Sequence, residues 1–237
     1  MDYMNIPQHI AIIPDGNRRW AKKNSLPVFR GHRQGIKSIE EVIKCALDLK
    51  IPYLTFWGCS MSNILNRSKL EVNFLMKIFE QNFRKIVQNE DIHNKKAGIA
   101  VVGRWRELFP KKTKESIEKA IDATKNYQNY HLTFLMAYSG MDEMQTAIQN
   151  IIKLKTGNIN LKIDENVIKN NLWTNNLPPV DLVIRTGGEP HWSDGFMMWD
   201  VANAQLYFTE TLWPDFSGKE FRKVVDRYSK TERRMGK

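Results

Sequence analysis

Cysteine is scarce in this sequence: Cys45 and Cys59 are the two in 237 residues. Two cysteines give no disulfide framework and no zinc site, so we interpret both as small buried apolar side chains. No stretch approaches the roughly 20 apolar residues that a transmembrane helix needs. Residues 1–8 lack the basic start and the apolar run of a secretory signal, so the sequence predicts a cytoplasmic protein.

Several signatures of phosphate binding and of catalysis are also missing. There is no Gly-x-x-x-x-Gly-Lys-Ser/Thr loop and no Gly-x-Gly-x-x-Gly after the first predicted strand. The common nucleotide-binding loops are therefore excluded. The absence of a Gly-x-Ser-x-Gly elbow argues against an esterase of the α/β-hydrolase type.

Negative charge is in short supply, because 36 Lys and Arg face 26 Asp and Glu and leave a net charge of +10. Such a surplus favours polyanions: nucleic acid, anionic lipid headgroups or phosphorylated small molecules. The cations are spread along the chain, and no zinc finger, RNA-binding aromatic signature or basic zipper is present. We therefore predict no nucleic-acid partner.

Apolar runs of strand length alternate with segments of helical periodicity. The predicted strands are 9–14, 53–58, 99–103, 132–137, 182–186 and 206–208, and the predicted helices are 35–49, 70–88, 112–125, 142–155, 164–172 and 218–230. Several strand runs are apolar at consecutive positions, which is typical of strands covered on both faces. No linker or repeat divides the chain. The sequence predicts a single α/β domain over residues 1–237 with a mainly parallel sheet, and ligands bind at the carboxyl ends of such strands.

The first predicted strand runs into Pro-Asp-Gly-Asn-Arg-Arg-Trp at residues 14–20. For Pro-Asp-Gly by itself, a tight turn before a basic helix is the simpler explanation. Arginines in the first turn of a helix are, however, repelled by the positive end of the helix dipole. A bound anion would offset this repulsion. A diphosphate would do so, with Asp15 holding its Mg²⁺.

Two further strand ends carry polar residues. Ser60 and Asn63 follow the second predicted strand, where ordinary loop chemistry is an open alternative. Arg185 ends the fifth predicted strand and is followed by Gly187 and Gly188. An arginine before a glycine pair is poor core material and is typical of an anion site.

Taken together, these segments resemble the cis-prenyltransferases, the family of undecaprenyl diphosphate synthase. The likeness runs over residues 9–236 with the motifs in family order. They are 9–22 with 31–35, then Ser60, Asn63, 67–68 and 71–72, then 181–189 with 206–209 and 212–216, and finally Glu-Arg-Arg-Met-Gly at 232–236.

The resemblance implies a six-stranded parallel sheet surrounded by helices, an apolar product tunnel and a homodimer. It implies head-to-tail condensation of isopentenyl diphosphate onto an allylic diphosphate, farnesyl or geranylgeranyl, with a new Z double bond and Mg²⁺ as cofactor. The product would be a polyprenyl carrier-lipid precursor for cell-envelope glycan synthesis. Asp15 would hold the metal, and with Asn63 it forms the implied catalytic pair. The implied substrate-binding residues are Gly16, Asn17, Arg18, Arg19, Trp20, His32, Ser60, Arg67, Arg185, His191 and Ser193. Arg233 and Arg234 would reach the partner subunit's site.

The sequence departs from the family pattern at a few positions. Gln205 stands where the family has a glutamate that shares the metal, and His191 stands where it has an arginine. Ile64 replaces a tryptophan, and Val28 replaces an arginine. One extra residue precedes Arg67 and another lies in the stretch 194–195.

Two alternatives remain open beside chain elongation: a relative that makes a short, branched or cyclised terpenoid, and a non-catalytic isoprenoid-binding subunit. Product length and the preferred starter stay open as well. The basic surface and the apolar product suggest transient contact with the inner face of a membrane.

Overall fold

The computed structural model describes residues 5–231, and its centre is a six-stranded sheet. The strands are β1 (His9–Ile13), β2 (Tyr53–Ser60), β3 (Ala97–Val102), β4 (Tyr130–Tyr138), β5 (Leu182–Arg185) and β6 (Gln205–Phe208). Their order is β3-β4-β2-β1-β5-β6, and each neighbouring pair is parallel. The predicted six-stranded parallel sheet is confirmed. The prediction that residues 1–237 form one domain stays a prediction.

Helices cover the sheet. They are α1 (Asn17–Lys23), α2 (Val28–Asp48), α3 (Met61–Asn66), α4 (Lys69–Ile86), α5 (Glu90–Lys95), α6 (Trp105–Leu108), α7 (Lys111–Thr124), α8 (Gly140–Gly157), α9 (Glu165–Asn171) and α10 (Gly218–Ser229), with a 3-10 turn at Trp213–Asp215. All six predicted helices are present. Helix α2 begins seven residues before the predicted start at Gly35, because its first turns carry glycines and cations instead of an apolar stripe.

The central strand β1 shows why these strands read as continuous apolar runs. All five of its residues are buried. Ile10 and Ile12 join the larger apolar cluster of the core, whereas Ala11 and Ile13 join the smaller one. Alternate side chains of β1 therefore enter two different cores, one on each face of the sheet.

The strand order extends from β1 in both directions. The chain proceeds from β1 to β2 on one side, and later crosses to β5 on the other side. In parallel sheets a crevice opens at such a reversal, beyond the carboxyl ends of the two strands. Ile13 pairs with Arg185 in the register of β1 and β5, so Asp15 and Arg185 emerge at this crevice.

A buried histidine on β1 makes stability depend on pH. His9 is fully buried, its Nδ1 lies 2.8 Å from the Pro178 carbonyl oxygen, and its Nε2 lies 2.8 Å from Thr55 Oγ1. Burial lowers the pKa of His9 from 6.5 to about 4, although the hydrogen bond to Pro178 opposes the change. An unfolded chain binds this proton more readily, so the contribution is complete above about pH 6.5 and is lost as the pH falls toward 4.

We expect roughly 3 kcal/mol of the free energy of unfolding to disappear over that interval because of His9. Urea unfolding at about pH 7.5 and about pH 5 should show a smaller pH difference for His9→Gln than for the unsubstituted chain. Equal differences in the two proteins would show that His9 is not the titrating group.

Candidate active site

Asp15 leaves β1 with its backbone fixed on both sides. Its N–H donates to Thr186 Oγ1 at 3.0 Å, and its carbonyl oxygen accepts from the Trp213 N–H at 2.9 Å. The carboxylate accepts from two arginines: Arg19 Nη2 lies 3.1 Å from Oδ1 and Arg185 Nη2 lies 3.2 Å from Oδ2. With 35% of its side chain exposed, Asp15 also remains open to a ligand from solvent.

Gly16 turns the chain from Asp15 into α1. Its φ of +114° is in the left-handed region, and a Cβ there would lie 2.9 Å from Leu212 Cδ2. A glycine is required here for both reasons. The turn allows Arg18 and Arg19 to follow Asp15 within one helical turn and to lie beside the same cavity.

Two glycines of α2 let this helix cross close to the start of α1. A Cβ on Gly31 would lie 2.0 Å from the Asn17 carbonyl oxygen, and one on Gly35 would lie 2.2 Å from Asn17 Oδ1. Asn17 Nδ2 donates to the Pro14 carbonyl oxygen at 3.4 Å, while the buried Oδ1 has no hydrogen-bond partner within residues 5–231. The contact fixes Asn17 beside Asp15.

The substitution Gly31→Ala should therefore lower the free energy of unfolding by about 1–3 kcal/mol, because a backbone oxygen cannot move aside as a side chain can. Gly157→Ala is the matched control, since no atom lies within 4 Å of its Cβ position. That control should be neutral or stabilising by up to about 1 kcal/mol. Chemical denaturation measures both, and equal effects would contradict the close approach of the two helices.

Arg185 is the buried cation of the site, with 4% of its surface exposed. Its Nη1 donates to the His191 carbonyl oxygen at 2.7 Å and to Ser193 Oγ at 2.5 Å, and its Nη2 donates to Asp15. The Nε–H is buried and has no partner among the described residues. A buried guanidinium with a spare donor is suited to an anion that the protein itself does not supply.

The loop after β5 folds back over this guanidinium. Ser193 Oγ lies 3.1 Å from His191 Nε2, and His191 Nδ1 lies 3.5 Å from Glu189 Oε2. Arg19 Nη1 donates to the Gly187 carbonyl oxygen at 2.6 Å. The loop thus brings Ser193 and the His191 carbonyl oxygen to Arg185.

The polar residues after β2 form the cap of α3. The Asn63 N–H donates to Ser60 Oγ at 3.0 Å, and Ser62 Oγ lies 2.7 Å from the same atom. Ser60 and Asn63 both line the cavity that contains Asp15 and Arg185. The cap holds these two side chains at the end of β2.

Glu71 joins two of the predicted binding residues. Its Oε1 accepts from Arg67 Nη1 at 3.1 Å and lies 3.3 Å from His32 Nε2. Burial lowers the pKa of His32, and burial likewise lowers the pKa of Arg67, while Glu71 opposes both changes. The sequence placed Glu71 in a motif, but it gave no sign that this carboxylate would hold the other two side chains.

These side chains surround the mouth of a cavity of about 910 Å³ that runs between α2, α4 and the sheet. Its deeper wall is mostly apolar. Apolar lining residues are Ile36, Ile39, Ile43, Leu75, Ile78, Phe79, Phe83, Ile86, Ile92, Leu132, Phe134 and Met136. A second cavity of about 730 Å³ adjoins it at Asp15, Asn17, His32 and Arg67 and is lined by Gly16, Arg18, Arg19 and Lys22.

Three sequence-based expectations need comment. Trp20, which the resemblance implied as a substrate-binding residue, lines neither cavity, and its Nε1 donates to Asp215 Oδ1 at 2.6 Å, which ties α1 to the 3-10 turn. Gln205 begins β6 opposite Leu182, at the amino ends of the strands, so within one chain it lies away from Asp15. Arg233 and Arg234 lie outside the described residues.

The described side chains do not form a metal site built from protein ligands alone. Within residues 5–231 no group of three or more His, Cys, Asp or Glu side chains is placed to hold a metal ion. A cation at Asp15 would therefore take its other ligands from outside this set of side chains, as Mg²⁺ commonly does from water and substrate phosphates. None of the helices in this part of the chain is both long enough and apolar enough to cross a membrane.

A cationic mouth that opens into an apolar interior suits a ligand with a phosphorylated head and a hydrocarbon tail. The family model described as "Putative undecaprenyl diphosphate synthase" matches residues 13–236, and the chain belongs to this family. It is thus a prenyltransferase of the cis type, as the sequence predicted.

Relatives of established name support this assignment over the whole length. A tritrans,polycis-undecaprenyl-diphosphate synthase (geranylgeranyl-diphosphate specific) from Pyrococcus abyssi is 39% identical over 98% of this chain and 88% of its own. An isoprenyl transferase from Thermotoga maritima is 36% identical over 98% of both chains. The crystal structure of lavandulyl diphosphate synthase from Lavandula x intermedia, in complex with dimethylallyl diphosphate, superposes with a TM-score of 0.91. It shares 32% identity and the match covers 98% of this chain and 99% of that one.

Proposed function

We propose that the chain condenses isopentenyl diphosphate onto an allylic diphosphate and so lengthens a Z-polyprenyl diphosphate. The product would be a precursor of the carrier lipid for cell-envelope glycan synthesis. One observation carries the proposal: a single cavity joins Asp15 and Arg185 at its mouth to Phe83 and Ile92 in its interior. Its 910 Å³ is near the upper end of the roughly 300–1,000 Å³ of ligand pockets, which suits a long apolar chain.

In this reaction the bond between C1 of the allylic group and the pyrophosphate oxygen breaks. A carbon–carbon bond forms from C4 of isopentenyl diphosphate to C1, and C2 of the same unit loses a proton to give the Z double bond. Charge separates as the pyrophosphate leaves, so fixed positive groups around it lower the barrier. The apolar wall behind the mouth excludes water from the cationic carbon.

The allylic diphosphate would lie in the second cavity. Arg18 and Arg19 line it beside the backbone of Gly16, and His32 of α2 and Arg67, between α3 and α4, border it. Asn17 lines both cavities, and its buried Oδ1 has no hydrogen-bond donor among the described residues. We assign the binding of the allylic diphosphate to these residues.

Isopentenyl diphosphate would lie against β5. The unpartnered Nε–H of Arg185 supports this assignment, and Ser193 and His191 lie within hydrogen-bonding reach of that arginine or of each other. Ser60 and Asn63, across the mouth, would position the reacting carbons and the departing proton.

Mg²⁺ fits Asp15 as a cofactor that arrives with its substrate. Mg²⁺ is commonly bound by one or two carboxylates together with substrate phosphates, and Asp15 is a partly exposed carboxylate beside the cationic cavity. The bound ion would neutralise charge that develops on the leaving pyrophosphate. Arg19 and Arg185, which now pair with Asp15, would then be free to turn toward phosphate oxygens.

We further propose a homodimer that works in the cytoplasm and touches a membrane surface transiently. Helix α8 supports the dimer, because Met141, Ile148 and Ile152 are 51–61% exposed along one side of it. On strand β6, Leu206 and Phe208 are also exposed. A second copy of the chain would cover such side chains.

The proposal is tested by incubating the purified protein with radiolabelled isopentenyl diphosphate and one allylic starter at a time. We expect Mg²⁺-dependent incorporation into a ladder of chain lengths, lost with EDTA, with geranylgeranyl diphosphate as the first starter to try in view of the archaeal relatives. Absence of incorporation from geranyl, farnesyl and geranylgeranyl diphosphates would overturn the proposal and favour a non-catalytic isoprenoid-binding subunit.

A second candidate function rests on the plant structure. Lavandulyl diphosphate synthase matches this fold with a TM-score of 0.91, so the same scaffold holds dimethylallyl diphosphate in that protein. The departures at His191 and Ile64 leave room for a short, branched or cyclised product here. Incubation with dimethylallyl diphosphate alone, followed by mass spectrometry of the dephosphorylated product, separates the two candidates.

A further inference from the structure

The segment from Gly16 to Ile39 has an unusual charge composition. It carries seven Lys and Arg and no Asp or Glu. Arg18 and Arg19 face the second cavity, but Lys23, Arg30 and Arg33 lie on the exposed surface around it. Within residues 5–231, none of these three has a carboxylate within ion-pair distance. The surface beside the cavity is therefore a field of unpaired positive charge.

Apolar side chains are exposed within this same surface. Leu26, Val28 and Phe29 are 37–41% exposed at the start of α2, and Leu70 at the start of α4 is 84% exposed. The Phe29 ring packs on Phe74 with 5.4 Å between centroids, and Leu70 lies one helical turn before Phe74. We call these five residues the mouth patch.

The cations lie over the mouth patch itself. The Arg33 guanidinium is 5.9 Å from the centroid of Phe29 and 5.6 Å from that of Phe74, and the Arg30 guanidinium is 5.8 Å from Phe29. Aromatic and aliphatic groups framed by arginine side chains are suited to the boundary between lipid headgroups and acyl chains.

The acidic groups near the patch do not cancel this charge. Glu71 is bound by Arg67 and lies against His32, and Asp15 is bound by Arg19 and Arg185. Helix α8, another surface with exposed apolar side chains, differs because its two acidic and two basic residues leave it without net charge. Charge therefore favours a polyanionic surface as the occupant of the mouth patch, and not of α8.

We infer that the mouth patch binds the surface of a bilayer that contains anionic lipids. Leu26 and Val28 also line the second cavity, so binding would bring the cavity mouth to the lipid surface. The inference rests on the proposed function only for the lipid-like character of the substrate, since binding to a bilayer needs no turnover.

The test is co-sedimentation with vesicles of phosphatidylcholine, with and without phosphatidylglycerol, at low ionic strength. We expect binding to the anionic vesicles that weakens as salt is added. The double variant Arg30→Gln/Arg33→Gln should bind roughly 30-fold more weakly. The double variant Phe29→Ser/Leu70→Ser should bind at least roughly tenfold more weakly.

The matched control is Leu108→Ser/Ile159→Ser, two apolar side chains away from the mouth patch. Leu108 is 38% exposed, as Phe29 is, and Ile159 is 80% exposed, close to the 84% of Leu70. This control should bind as the unsubstituted chain does, and circular dichroism should show all variants folded. Equal binding by the Phe29/Leu70 variant and the control would overturn the inference. So would equal binding to both kinds of vesicle, or binding to RNA or DNA without binding to vesicles. Asp15→Asn should bind vesicles normally, which separates a failure here from a failure of the proposed function.

Discussion

Asp15→Asn should lower the rate of isopentenyl incorporation by roughly 10²- to 10³-fold, the range for loss of one charge-stabilising group at a reacting centre. The amide keeps the shape of the side chain and one oxygen that accepts from Arg19 or Arg185, but it removes the negative charge that would hold Mg²⁺. Steady-state rates at saturating substrate and over a range of Mg²⁺ concentrations measure the effect.

The fold should tolerate this substitution. Arg185 would keep its hydrogen bonds to the His191 carbonyl oxygen and to Ser193, so we expect a loss of about 1–2 kcal/mol in the free energy of unfolding. Asp122→Asn, on the exposed side of α7, is the control for an equivalent change elsewhere. If Asp15→Asn kept activity within about tenfold of the unsubstituted chain, Asp15 would not be the metal-binding carboxylate.

The sheet was predictable from the sequence because its strands are buried on both faces. A run such as Ile10 to Ile13 is apolar at each position, and this pattern can be recognised without knowing which strands lie beside it. The short helices α3, α5 and α6 were missed, since four to six residues are too few to show a helical period. The strand order, which creates the crevice between β1 and β5, depends on long-range pairing that local patterns do not record.

The site was predictable only as a set of residue types at strand ends. Asp15, Arg185 and Ser193 do meet, because adjacent parallel strands end at one edge. Trp20 lies apart from these residues because a motif records proximity in sequence, whereas the direction of a helical side chain decides which surface it faces. Glu71 was overlooked because its partner His32 is distant in sequence. The two side chains meet, beside Arg67, only when α2 packs against α4.

Arg185→Met should weaken the binding of isopentenyl diphosphate strongly while lowering the stability of the protein only modestly. One hydrogen bond to a charged group contributes about 1.5–3 kcal/mol, and Arg185 would offer more than one donor to the diphosphate. We therefore expect the KM for isopentenyl diphosphate to rise at least roughly 100-fold. Arg185→Lys keeps the charge but loses the planar fork and its Nε–H. Its KM for isopentenyl diphosphate should therefore lie between those of the unsubstituted chain and of Arg185→Met.

Stability distinguishes this functional role from a structural one. Arg185 is 4% exposed, and its replacement by Met leaves the His191 carbonyl oxygen without its donor, so we expect a loss of about 1–3 kcal/mol in the free energy of unfolding. Asp15 would not be stranded, because it keeps Arg19 and contact with solvent. Thermal unfolding should then show a Tm lowered by only a few degrees for Arg185→Met together with the lost activity. A Tm lowered by many degrees, with the KM unchanged, would mean that Arg185 serves the fold of the loop at 187–193 and not the substrate.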